Sequence, residues 1–369
     1  MHSGRVLSFR PRPQQPGSRE TASQRANAFL ATPIEERSAS LLDATISDGD
    51  LIAALITRLW EAGNAKPGMV SEEATYLHRA ISSRSAKDFF FDERDYFLGE
   101  FALLAAGALR LLGSRDESER WLDRADASFR HTVSPTPHLA RTAYSRLSLR
   151  FDMRRHEDVS ELIPSVALTF QKLGMVSELA KCLYLEAANL KEMGNLEEAA
   201  IKLEKLVASE GMPDVFLGLG LVNLGDIRAT QGQFDQALLA YRQAVPVLRS
   251  TDQLYALADL KIVLATTLRQ MGQLNASLTV YAEAAEEHAQ LGTNTRAAFA
   301  RVLFAEALLQ AGRAREAEWQ ILAALPTIDE QKMVPEGFAA VALLRESVRQ
   351  RKTHPGALSE LSKYLQAKN

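Results

Sequence analysis

The chain has 369 residues, 46% of them hydrophobic and 24% charged, with a formal net charge of −3 and a single cysteine, Cys182. That is the composition of a soluble folded protein; it argues against a whole-protein nucleic-acid footprint, and it leaves no internal disulfide and no cysteine-built zinc site. No run of about 18 apolar residues is present to span a membrane, and Val6-Leu7-Ser8-Phe9 is too short for a secretory signal, so a reducing, cytoplasmic compartment is expected.

Residues 1–34 read as a disordered basic leader. Arg5, Arg10, Arg12, Arg19 and Arg25 stand against Glu20, and Pro11, Pro13, Pro16 and Gly17 interrupt any helix. Such a segment has too few apolar residues to offset the entropy of ordering it. Its charge suits an acidic partner, or a self-inhibitory contact.

Residues 35–94 read as an N-terminal helical cap. One helix is expected from Asp50 to Ala62 and another from Ser71 to Lys87, with Ser71 as its cap and Glu72 and Glu73 in the first turn. Asp48-Gly49-Asp50 resembles a fragment of a calcium loop, but the remaining ligands are missing, so a turn with a helix cap is the reading. The connection between the two helices is too long for a helix-turn-helix, which disfavours DNA binding. An aromatic stretch, Phe89-Phe90-Phe91, follows.

Residues 95–330 repeat. The marker is a glycine followed five residues later by a small side chain: Gly194 with Ala199, Gly232 with Ala237, Gly272 with Ser277 and Gly312 with Ala317. Degenerate copies begin at Gly113, with Ser118, and at Arg154, with Val159, so the spacings are 41, 40, 38, 40 and 40 residues. A helix that stops and reverses closes its free carbonyls with a left-handed residue, which glycine adopts without steric cost. Around Gly232 an i, i+3, i+4, i+7 stripe runs through both arms: Leu217, Leu221, Leu224 and Ile227 before it, then Phe234, Ala237, Leu238, Tyr241 and Ala244. Pro164 and Pro246 fall within second helices and are expected to kink or shorten them. Residues 331–369 read as C-terminal capping helices, Pro335 to Arg351 and Pro355 to Gln366, covering the end of the stack.

Leu224-Gly225, Gly232, Phe234, Ala237, Tyr241 and Ala244 resemble the tetratricopeptide repeat at the family's own spacings. The family repeat is about 34 residues, and the longer period here is similar to that in bacterial signal-responsive regulators. The resemblance implies an all-α fold: a right-handed superhelical solenoid of antiparallel helix pairs with helical caps at both ends. It implies a protein- or peptide-binding scaffold whose first helices line a concave wall. Carrying the family slots over puts Arg141, Tyr144, Lys181, Tyr184, Lys191, Asn223, Asp226, Asp259, Thr266, Arg269 and Glu306 on that wall. The slots of the family's carboxylate clamp hold Tyr184, Ala188, Val222 and Asp226, so a generic chaperone-tail receptor is disfavoured.

No motif for chemistry emerges. None of the seven histidines forms the i, i+4 pair that holds a metal on one helical face. Gly218, Gly220 and Gly225 miss the dinucleotide pattern, because Asn223 holds the third slot and no strand precedes them; close helix packing is the expected use. Cys182 reads as a small buried residue, and Glu283, Glu286 and Glu287 as a solvated helix face. No cofactor, no metal and no catalysis are expected. The function expected is a regulatory or signalling scaffold in a bacterial cytoplasm, with a sensor for a small molecule or signalling peptide as the alternative. Neither the partner's identity nor the oligomeric state follows from the sequence.

Overall fold

The computed structural model describes residues 21–63, 66–85, 89, 93–209, 211–251, 253–330 and 333–349. Among them are seventeen α-helices, one 3-10 turn and no strand. The stretches Arg5–Arg10 and Pro355–Gln366, and Phe90 and Phe91, lie outside the described residues. The chain divides into two compact units, residues 1–193 and residues 194–369, so the division falls inside the expected repeat region.

Unit 1 begins with α1 (Ala22–Ala31), α2 (Ala39–Ile46), α3 (Gly49–Ala62) and α4 (Pro67–Ser82). Part of the expected leader is therefore helical. Thr21 and Gln24 form a capping box, and Ala26 and Phe29 are buried as α1 packs on α3. Asp48 caps α3, accepting a hydrogen bond from Leu51 N at 3.1 Å, as the turn reading required. The Ser71 cap is overturned: α4 starts at Pro67, because proline has no N–H to lose in the first turn and its fixed φ suits the helix. Only residues 63–66 separate α3 from α4, so the length of that connection no longer speaks against a helix-turn-helix. A buried two-pronged ion pair ties this region together. Arg37 Nη1 and Nη2 donate to Glu73 Oε2 and Oε1 at 2.7 and 2.6 Å, and Arg37 Nε donates to Thr32 O at 3.0 Å.

The array follows as α5 (Glu93–Leu111), α6 (Arg115–Phe129), α7 (Pro135–Asp152), α8 (His156–Leu173) and α9 (Val176–Glu192). Unit 2 holds α10 (Leu196–Ala208), α11 (Asp214–Thr230), α12 (Phe234–Ser250), α13 (Leu254–Gln270), α14 (Leu274–Gln290), α15 (Asn294–Gln310), α16 (Ala314–Glu330) and α17 (Val334–Arg349). Within each unit of the array, successive helices pack as hairpins. The first helices also lie beside one another: α5, α7 and α9 in unit 1, and α11, α13 and α15 in unit 2.

The repeat marker does what the spacing predicts. Gly113, Gly194, Gly232, Gly272 and Gly312 all have positive φ, and Arg154 takes the same conformation at φ 58°. Several of the turns share one closing bond, from Gln233 N to Arg228 O at 2.8 Å, Gln273 N to Leu268 O at 2.9 Å and Arg155 N to Arg150 O at 3.0 Å. This six-residue closure satisfies carbonyls that the helix end leaves open. The small-residue slot is buried throughout, at Ser118, Val159, Ala199, Ala237, Ser277 and Ala317. Gly225 permits a close approach: a Cβ there would stand 2.7 Å from Tyr241 Cδ1 and 3.1 Å from Ala237 O. Pro164 and Pro246 do not end their helices. Ile163, Val166 and Phe170 on α8, and Ala244 and Leu248 on α12, are buried around them, so the packing stripe outweighs one lost hydrogen bond.

Candidate functional site

The side chains carried over by register fall into two groups. Arg141 and Tyr144 on α7 and Lys181, Tyr184 and Lys191 on α9 belong to unit 1. Asn223 and Asp226 on α11, Asp259, Thr266 and Arg269 on α13, and Glu306 on α15 belong to unit 2.

In unit 1, Arg141 is committed to an internal partner. Its guanidinium grips Glu100 of α5, with Nη1 on Oε1 and Nη2 at 3.1 Å from Oε2. Trp60 Nε1 of α3 donates to the same Oε2 at 3.1 Å, and Arg141 lies 5.5 Å from the Trp60 ring centre. Glu100 is buried, so this cluster joins three helices rather than presenting a free charge. Burial works against the Arg141 charge, but the Glu100 carboxylate outweighs it and holds the pKa above its ordinary value. Burial pushes the Tyr144 hydroxyl up to about 12, so it stays a neutral donor. On α9, Cys182, Leu185 and Asn189 are buried while Lys181, Tyr184 and Lys191 are half-buried. The last three share one helical face at i, i+3 and i+10. Cys182 is inert, since burial raises its thiol to about 12.

In unit 2, Asn223 Nδ2 donates to Leu219 O of its own helix at 3.1 Å, and Asp226 is half-buried. The other four are paired with other helices, Asp259, Arg269 and Glu306 across repeats and Thr266 within its own hairpin. Arg269 pairs with Glu306 at 2.8 Å, and Thr266 Oγ1 lies 2.8 Å from the hydroxyl of Tyr281. Burial raises the pKa of that tyrosine above its ordinary value. Asp259 Oδ1 receives Arg296 Nε at 2.7 Å and Nη2 at 2.6 Å, and His288 Nε2 stands 3.3 Å from the same oxygen.

Sequence reasoning missed Trp60, Glu100, His288 and Arg296. A signal for them exists. Glu100 and Arg141 are 41 residues apart, one full repeat. Asp259 and Arg296, like Arg269 and Glu306, are 37 apart, which is one repeat less one helical turn. Opposite charges at those spacings on first helices face each other.

No helix of the described residues is long and apolar enough to cross a membrane, and no group of three or more metal-ligating side chains occurs among them. No family model matches the chain, and no curated protein matches it. Solved structures do. A Rap protein complexed with competence and sporulation factor aligns over 90% of this chain and 91% of its own, at 10% identity and a TM-score of 0.57. The Rap conjugation gene regulator of plasmid pLS20, complexed with the Phr* peptide, aligns over 78% and 75%, at 13% identity and a TM-score of 0.58. A signal-transduction ATPase with a tetratricopeptide repeat sensor from Pyrococcus horikoshii aligns over 94% of this chain and 52% of its own, at 13% identity and a TM-score of 0.54. At these identities the likeness is one of fold: this chain has the tetratricopeptide-like helical-hairpin repeat.

Proposed function

We propose that this chain is a non-catalytic, cytoplasmic regulatory scaffold that binds a peptide or an extended segment of a partner protein on its first helices. The observation that carries the reading is the α9 face, where Lys181, Tyr184 and Lys191 stand half-buried on one side while the other side is packed into the core. A tyrosine flanked by cations can anchor a peptide through one aromatic contact and polar contacts around it. Two of the structures that share the fold are complexes with a competence and sporulation factor and with a Phr* peptide, which favours a signalling peptide over a small molecule. Arg141, Arg269, Asp259, Thr266 and Glu306 shape the wall through internal pairs; the proposed contacts are Tyr144, Lys181, Tyr184 and Lys191 within unit 1 and, separately, Asn223 and Asp226 within unit 2.

The test is an affinity pull-down from the native host with Tyr184→Ala and Lys181→Glu. Arg269→Glu is unsuitable, because it would set a second carboxylate against Glu306. Loss of the partner at an unchanged melting temperature supports the reading. Full binding by both variants, with loss on deleting residues 1–20, moves the site to the basic leader.

A further inference from the structure

The Asp259 cluster carries an inference that rests on the peptide-binding reading and gives it a chemistry. Arg296 directs two donors, Nε and Nη2, at one oxygen of Asp259, Oδ1. The strongest arginine–carboxylate geometry uses two parallel bonds to two oxygens, as Arg37 and Glu73 achieve in unit 1. Asp259 falls short of it, and the same Oδ1 lies 3.3 Å from His288 Nε2. His288 is fully buried, and its Nε2 makes no hydrogen bond, while its Nδ1 is held by Thr293 Oγ1 at 2.9 Å. An unmade hydrogen bond at a buried nitrogen is a standing cost. Asp259 therefore has two claimants, and satisfies the exposed one at the expense of the buried one. Arg296 is 37% exposed along its side chain and lies 5.1 Å from the centre of the Phe299 ring, so its guanidinium is within reach of an incoming group.

We propose that Arg296 is the anchor for a carboxylate of the bound peptide, and that Asp259 holds the place of that carboxylate until the peptide arrives. A ligand carboxylate is free to orient and forms the parallel pair with the guanidinium. Asp259 then turns fully onto His288 Nε2, which donates in the tautomer whose Nδ1 accepts from Thr293 Oγ1, and completes the hydrogen bond now missing. The exchange keeps both the guanidinium and the displaced aspartate partnered, so neither is left as an uncompensated charge. A carboxylate of this kind comes from the chain terminus or from an Asp or Glu side chain.

The experiment exposes the full chain to two pools of short mixed-sequence peptides, one with free and one with amidated C-termini. Bound peptides are identified by affinity-selection mass spectrometry and then titrated. Retention from the free pool alone assigns the terminus; retention from both pools, enriched in Asp and Glu, assigns a side chain. Either supports the anchor. Arg296→Gln is expected to weaken binding by about tenfold or more, the loss of a charge-assisted pair. Asp259→Asn, which removes the internal competitor and keeps its shape, is expected to tighten binding several-fold. Arg296→Lys, which keeps the charge without the fork, is expected to fall between Arg296→Gln and the parent, and it serves as the second variant should one of the others fold poorly. A purely structural pair would shift both single variants the same way, and that result overturns the proposal. Retention indifferent to carboxylates overturns it as well while leaving peptide binding intact. Retention of no peptide from either pool overturns the peptide-binding reading and the anchor with it.

Discussion

Gly225→Ala and Gly107→Ala are the same substitution inside two helices of the same array, and they should have opposite effects. In an open helix interior, alanine gains about 1 kcal/mol over glycine. A Cβ at Gly107 on α5 meets nothing within 4 Å, so that gain is realised in full. A Cβ at Gly225 on α11 stands 2.7 Å from Tyr241 Cδ1 and 3.1 Å from the backbone oxygen of Ala237. Neither can retreat: Tyr241 is 2% exposed and its hydroxyl lies 3.3 Å from Thr267 Oγ1, while Ala237 is fully buried. Overpacking of this kind costs about 1–3 kcal/mol and outweighs the propensity gain. Gly225→Ala should therefore lower stability by up to about 2 kcal/mol after the propensity gain, while Gly107→Ala should raise it by about 0.5–1 kcal/mol. Urea denaturation followed by circular dichroism measures both, with hydrogen exchange of α11 and α5 amides locating each effect in its own unit. Truncating the ring in the Gly225→Ala background, with Tyr241→Leu, should give a loss smaller than the sum of the two single changes. A neutral or stabilising Gly225→Ala would show that the α11–α12 crossing is not close-packed and would refute this account of the repeat.

Other perturbations test other layers. Arg37→Met should cost about 3–5 kcal/mol by stranding the Glu73 carboxylate in the core, and Arg37→Met with Glu73→Leu should recover much of it, both read by thermal melting. Arg154→Gly should raise stability by about 1 kcal/mol, because it relieves a left-handed arginine, and an unchanged or lower denaturation midpoint would contradict the strain. Burial, with help from Arg124, Arg94 and Arg79, lowers the His78 pKa from 6.5 to about 4. The folded value lies below the unfolded one, so the unfolded chain takes up the proton first; stability is intact above pH 6.5 and declines as pH falls towards about 4. His78→Gln should flatten that part of the stability–pH curve, and NMR titration of the imidazole gives the pKa directly.

The repeat region was legible because its signal is a backbone need repeated at constant spacing. Even Arg154 could be placed, since five glycines at equivalent positions define the slot it fills. The α1 helix was hidden by its neighbours: arginines and prolines dominate the composition, although Thr21, Gln24, Ala26 and Phe29 form a capped helical pattern. Ser71 misled because serine, though best as a cap, is tolerated inside a helix, whereas Pro67 is most favourable in the first turn. At the site, register identified which residues of α9 share a face. It could not show that Arg141, Arg269 and Asp259 are already paired, because each partner lies about one repeat away and matches only when the hairpins are stacked.

Those cross-repeat pairs make the array unequally modular. A chain built from 38- to 41-residue units can in principle lengthen or shorten by whole units, since each hairpin repeats the same left-handed turn and buried small-residue slot. The step from α13 to α15 is different. It is held by Asp259 with Arg296 and by Arg269 with Glu306, two pairs that point in opposite directions along the chain. Excising the unit between Gly272 and Gly312 would remove Arg296 and Glu306 and orphan Asp259 and Arg269 at once, so loss of units over evolutionary time should spare this step and act elsewhere in the array.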